Sequence, residues 1–101
     1  LDFFNVSNVI VSDQGFNIYL EEKNVVPAEF KGQRLTSKGF MDEIKVQDFP
    51  IRGKAGYLIV KRRRWINQTT LSIVSRNWNY VAQGTRMTKE FADFLKVIAR
   101  Y

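Results

Sequence analysis

Phe49-Pro50-Ile51-Arg52-Gly53-Lys54-Ala55-Gly56-Tyr57-Leu58-Ile59-Val60-Lys61-Arg62-Arg63-Arg64-Trp65 is a turn, an apolar run and a block of cations in immediate succession. The run Tyr57 to Val60 is rich in β-branched residues and follows two glycines, which predicts a strand. Pro50 cannot donate to a ladder and Gly53 permits a tight turn, so Asp48 to Lys54 is expected to lead the chain back into that strand. Successive strand side chains leave opposite faces, so Lys61 and Arg63 are expected on one face and Arg62 and Arg64 on the other. The strand is therefore predicted to be both the centre of a sheet and the source of a positive field.

Upstream, Phe16, Ile18 and Leu20 alternate with Asn17, Tyr19 and Glu21, the pattern of a half-buried strand. With the weaker alternation of Asn5 to Ser12 and the turn Ser12-Asp13-Gln14-Gly15, this predicts a hairpin. Glu22 to Ser37 carries Pro27, Gly32 and scattered charge and reads as a long loop with a helical turn after Pro27. Gly39 to Gln47 is expected to be a third strand with Ile44 and Val46 facing in. Downstream, Asn67 to Thr70 reads as a turn and Leu71 to Trp78 as another strand. Met87, Phe91, Phe94, Leu95, Ile98 and Tyr101 fall at helical spacing, with Thr88 as N-cap. The prediction is one α+β domain over residues 1–101, an antiparallel sheet of about five strands with a C-terminal amphipathic helix packed on it.

The chain has 101 residues and a formal net charge of +6, and that charge is unevenly distributed. From Phe49 to Lys89 there are nine cations and no acid, whereas the remainder holds seven cations and all ten acids. A basic half facing a mildly acidic one favours a polyanionic partner bound at one face. No apolar run approaches the ~18 residues of a membrane span, and no signal-peptide pattern opens the chain, so a cytoplasmic protein is expected. The chain does not begin with Met, and the predicted helix runs into its last residue, as in a trimmed piece of a longer protein.

Cysteine and histidine are both absent. Disulfides, thiolate nucleophiles and the usual zinc ligands are excluded with them, and no metal or other cofactor is expected. Asp42 and Glu43 are adjacent in a predicted strand and point apart, no histidine activates a serine, and Gly53-Lys54 lacks the rest of a phosphate loop. A non-catalytic role follows. The DNA-binding candidates are Arg52, Lys54, Lys61, Arg62, Arg63, Arg64, Arg76 and Arg86; the arginine guanidinium forks suit phosphate oxygens and the lysines add point charges. Trp65 joins them as a stacking surface, although for both Trp65 and Trp78 a place in the core is the favoured reading.

Five stretches carry a resemblance to a known family. They are Tyr19-Leu20-Glu21-Glu22-Lys23-Asn24, Ser37-Lys38-Gly39-Phe40-Met41-Asp42-Glu43, Gln47 to Lys54, Lys61-Arg62-Arg63-Arg64-Trp65, and Gly84-Thr85-Arg86-Met87-Thr88-Lys89-Glu90-Phe91. Together they resemble the N-terminal region of ISAon-type insertion-sequence transposases of Bacteroides-like bacteria, over nearly the whole chain. More distantly the chain is similar to the N-terminal zinc finger of ISL-type transposases, with Asp48 to Lys54 and Arg62 to Trp65 in the matching positions. The finger's cysteines are missing, so its metal is not carried over. The resemblance implies a DNA-binding accessory module that helps place a catalytic transposase subunit on the terminal repeats of its element. A module that docks on that catalytic subunit is the alternative, and RNA binding by the same basic strand a remote third.

Overall fold

The computed structural model describes residues 3–47, 55–84 and 89–101. The elements are β1 (Phe4–Ser12), β2 (Gly15–Glu22), a 3-10 turn (Ala28–Phe30), β3 (Leu35–Phe40), β4 (Ile44–Gln47), β5 (Ala55–Lys61), β6 (Arg63–Asn67), β7 (Ile73–Ser75), α1 (Trp78–Ala82) and α2 (Lys89–Ile98). The α+β class is as expected. Among the described residues the strands, however, number seven and form two sheets: four strands in the order β1-β2-β5-β4 and three in the order β3-β6-β7.

The predicted hairpin is present. Ser12 pairs with Gly15 across Asp13-Gln14, and Gly15 takes φ 145° there. A Cβ on Gly15 would lie 2.3 Å from the Ala55 carbonyl oxygen, so glycine lets β2 and β5 approach. β5 is an interior strand, as its apolar run implies, but it pairs with β2 in parallel, from Gly15–Ala55 to Glu21–Lys61. The other pairings are antiparallel.

Three predicted elements are corrected. The stretch read as a loop from Glu22 to Ser37 contains the start of β3, and the strand read over Gly39–Gln47 is broken at residues 41–43. The strand expected over Leu71–Trp78 shrinks to Ile73–Ser75. Leu71 sits in the left-handed region (φ 62°) at the end of a turn in which Asn67 Oδ1 accepts the Thr69 and Thr70 amides. Trp78 instead opens α1, capped by Asn77, whose side chain accepts the Tyr80 N–H. The turn over Asp48–Lys54 and the Thr88 cap lie outside the described residues.

The core lies between the first sheet and the two helices. Leu20, Val60 and Val46 meet Leu95, Ile98 and Phe94 of α2, with Phe4, Trp78 and Ala82 closing one end. Phe91 flanks this cluster half-buried, and Tyr101 is exposed beyond the helix rather than on its apolar face. No described helix is long and apolar enough to cross a membrane.

Candidate nucleic-acid interface

The basic run does not continue one strand. β5 ends at Lys61, β6 begins at Arg63, and Arg62 between them is the single residue at which the chain passes from the first sheet to the second. Its carbonyl accepts the Met41 N–H at 2.9 Å. Regular alternation from Lys61 to Arg64 is lost at this step, and with it the two expected pairs of cations.

Arg62, a DNA-binding candidate in the sequence, is 8% exposed, and its Nη1 donates to the Tyr101 carbonyl at 3.0 Å. Arg63 is turned inward. Its N–H donates to Glu22 Oε1 (2.9 Å), its Nε to the Glu22 carbonyl (3.1 Å), and its Nη1 to Ser37 Oγ, while its guanidinium lies over the Phe40 ring. Arg76 is also engaged. Its Nε donates to Glu22 Oε2 at 2.8 Å and its Nη2 to the Val25 carbonyl, with Phe3, Trp65 and Trp78 around its guanidinium. Although residues 49–89 contain no acid, Glu22 reaches into that segment from β2 and compensates two of its cations.

Glu22 is itself buried. Desolvation raises its carboxyl above the ordinary glutamate range, opposed in part by the hydrogen bonds and charges of Arg76 and Arg63. Trp65 is fully buried and donates its Nε1–H to Asn24 Oδ1 at 2.9 Å, so it offers no stacking face. Arg52, Lys54 and Arg86 lie outside the described residues.

Two cations of the predicted run remain near solvent. Lys61 stands opposite Glu21 in the β2–β5 ladder. Arg64 projects to the side of the second sheet opposite Trp65 and Asn67, among neighbours Ser75 and Ile66. Its Nη2 reaches the carbonyl of Lys38 at 3.4 Å. Lys38, next to the left-handed Gly39 (φ 80°) where the β3–β6 register shifts, is exposed. The same open face carries Thr36 and Gln68, joined by a hydrogen bond of 2.9 Å. No strand of this sheet contains an acidic residue. Lys38, Thr36 and Gln68 escape a reading of the sequence because β3 is polar and short, so nothing there announces that Lys38 lies beside Arg64.

The result is a small three-stranded sheet whose inner face is closed by Trp65, Asn67 and Leu35 and whose outer face carries half-buried Arg64, its Nε enclosed, beside exposed Lys38, Gln68 and Thr36. Chemically this face can donate hydrogen bonds to oxyanions or to base edges. No protein-family model matches the chain, and no curated protein or solved structure matches it either.

Proposed function

We propose that this domain is a non-catalytic DNA-binding accessory module of an insertion-sequence transposase, and that it meets element-end DNA with the open face of its second sheet. The acid-free face that brings Arg64 and Lys38 together is the observation that carries the reading. Phosphate contacts supply affinity without sequence information, and Gln68 and Thr36, on the same face, are the proposed contacts to base edges. Arg62, Arg63, Arg76 and Trp65 drop out of the binding surface, because each is taken up inside the domain. The catalytic transposase subunit is the proposed protein partner, and the transposition chemistry belongs to it.

The test is a salt titration of binding to duplexes carrying the element's terminal repeats. Replacing Lys38 and Arg64 together with alanine is expected to flatten the slope of log affinity against log salt by about 2, at ~0.9 for each phosphate no longer neutralised. Affinity for unrelated duplexes falls in parallel. Binding that is undetectable at low salt, or untouched by the double substitution, removes the DNA reading and leaves docking on the catalytic subunit.

A further inference from the structure

Among the described residues the two sheets have four edge strands, and three of them carry obstacles to pairing with another chain. β4 has four residues including Lys45; β3 carries Lys38 and an irregularity at Gly39; β7 has three residues. Short, charged or irregular edges are how sheets avoid adding strands. β1 is different. Its nine residues, Phe4-Asn5-Val6-Ser7-Asn8-Val9-Ile10-Val11-Ser12, contain no charge and no proline, and among the described residues it has one neighbour, β2. Its one irregularity falls between Val6 and Asn8, so Asn8 to Ser12 is regular. Val9, Ile10 and Val11 in this segment are 53%, 47% and 67% exposed.

The direction of the free main-chain groups follows from the turn. In a two-residue hairpin the flanking residues, here Ser12 and Gly15, form a hydrogen-bonded pair. Alternation then points the N–H and C=O of Val11 and Val9 away from β2. The Val9 N–H agrees: it points away from β2 and is held by Oδ1 of the exposed neighbour Asn8 (2.9 Å), a local bond that a pairing strand has to displace.

We infer that β1 is a self-association edge, and that its occupant is β1 of a second copy, antiparallel about a two-fold axis at Ile10. In that register Val9 of each copy lies opposite Val11 of the other, and these are the residues with outward main-chain groups, so each such pair exchanges two hydrogen bonds. Ile10 faces Ile10 in the non-hydrogen-bonded position. The pairing gathers four valines from side chains now half in water, and cross-strand β-branched pairs stabilise sheets. Electrostatics at the edge do not oppose a second copy, and an uncharged apolar strand offers a charged partner strand no counter-charge. The domain carries +6, yet this segment carries nothing, so like charges do not meet across the axis. The hairpin turn also lies at the end of β2 opposite Glu22, where the chain enters the second sheet. Pairing there leaves both open faces of the second sheets uncovered.

Sedimentation of the wild-type chain over a range of concentrations is expected to show a reversible shift from 11.8 kDa toward twice that mass. Val9→Lys combined with Val11→Lys changes two exposed side chains; it is expected to keep the far-ultraviolet spectrum and to remain at the monomer mass. The register is read separately by Ile10→Cys, because the chain has no cysteine of its own. Non-hydrogen-bonded partners sit about 4.5 Å apart at Cα, within disulfide reach. Ile10→Cys should therefore cross-link under mild oxidation much faster than Tyr80→Cys, a more exposed control on α1. A wild-type chain that stays monomeric throughout overturns the inference. So does a dimer that survives the lysine pair, or cross-linking of Ile10→Cys no faster than the control.

Discussion

The first sheet buries Leu20, Val46 and Val60 against Phe94, Leu95 and Ile98, an apolar interface. The second sheet closes over a different interior. Trp65 is bonded to Asn24, Asn67 to Gln33, and Glu22 to both Arg63 and Arg76. The difference shows that a basic sequence segment is not the same thing as a basic surface. In the second sheet, cations substitute for the hydrophobic area that strands of three to six residues cannot supply, and of the sheet's own cations Arg64 and Lys38 are left on the outer face.

Removing the acid at the centre of the polar interior is the largest way to break this comparison. Glu22→Ala leaves Arg76 enclosed by three aromatic rings and the Arg63 N–H without its acceptor. Stripping one partner from a buried pair costs about 3–5 kcal/mol, to be read from denaturant unfolding. The pH dependence has a definite sign. Because burial raises the folded-state pKa of Glu22 above its unfolded value, the folded chain holds this proton more tightly. Its contribution is complete below the unfolded pKa and is lost as pH rises through the folded one. Wild type should therefore show a component of stability that falls with rising pH across that window, and Glu22→Gln should lack it. A Glu22 carboxyl that titrates by NMR below the ordinary range would reverse this assignment.

The apolar side of the comparison is sharpened by two helix positions. Leu95 is fully buried in the core cluster while Phe91 is half-buried at its margin. Leu95→Ala is expected to cost about 2–5 kcal/mol through lost transfer energy and a cavity. Phe91→Ala should cost less despite its larger side chain, since its site can collapse toward solvent. Equal costs would mean that the helix is seated by its whole face.

Elements with strong periodicity were legible in the sequence. Phe16-Ile18-Leu20 alternates, Tyr57 to Val60 is continuously apolar, and Phe91, Phe94, Leu95 and Ile98 share a helical stripe. β3 was not legible because Lys38-Gly39 interrupts a polar hexapeptide. α1 was missed because Trp78-Asn79-Tyr80-Val81 holds no strong helix former; only Asn77 marks its start, and a single cap is weak beside two aromatics that favour strand. At the site, Arg62 to Arg64 reads as surface because charge runs usually are. The enclosure of Arg63 within that run, and of Arg76 beyond it, depends on Glu22, forty-one and fifty-four residues away, a separation at which local pattern carries no information. Trp65 and Trp78 in the core were legible as large apolar residues, whereas the aromatic cage that they form with Phe3 around Arg76 was not.

The smallest effect on the fold, and the sharpest on the functional reading, comes from two neighbours in the basic run. Arg62 and Arg64 are two residues apart, and the sequence treats them alike. In the structure Arg62 is enclosed and holds the Tyr101 carbonyl, while Arg64 lies on the open face beside Lys38. Arg62→Ala is therefore expected to lower stability by about 1–3 kcal/mol, the range for losing a charged hydrogen bond and leaving its acceptor unpaired. It should leave the salt slope of DNA binding unchanged. Arg64→Ala is expected to do the reverse: stability within about 0.5 kcal/mol of wild type, and a slope flatter by about 1. Measuring both variants by denaturant unfolding and by salt-dependent anisotropy on one duplex separates a cation used by the fold from one used by the interface. If Arg62→Ala flattens the slope and Arg64→Ala does not, the binding face lies on the Tyr101 side of the domain, and the open face of the second sheet is not the one that meets DNA.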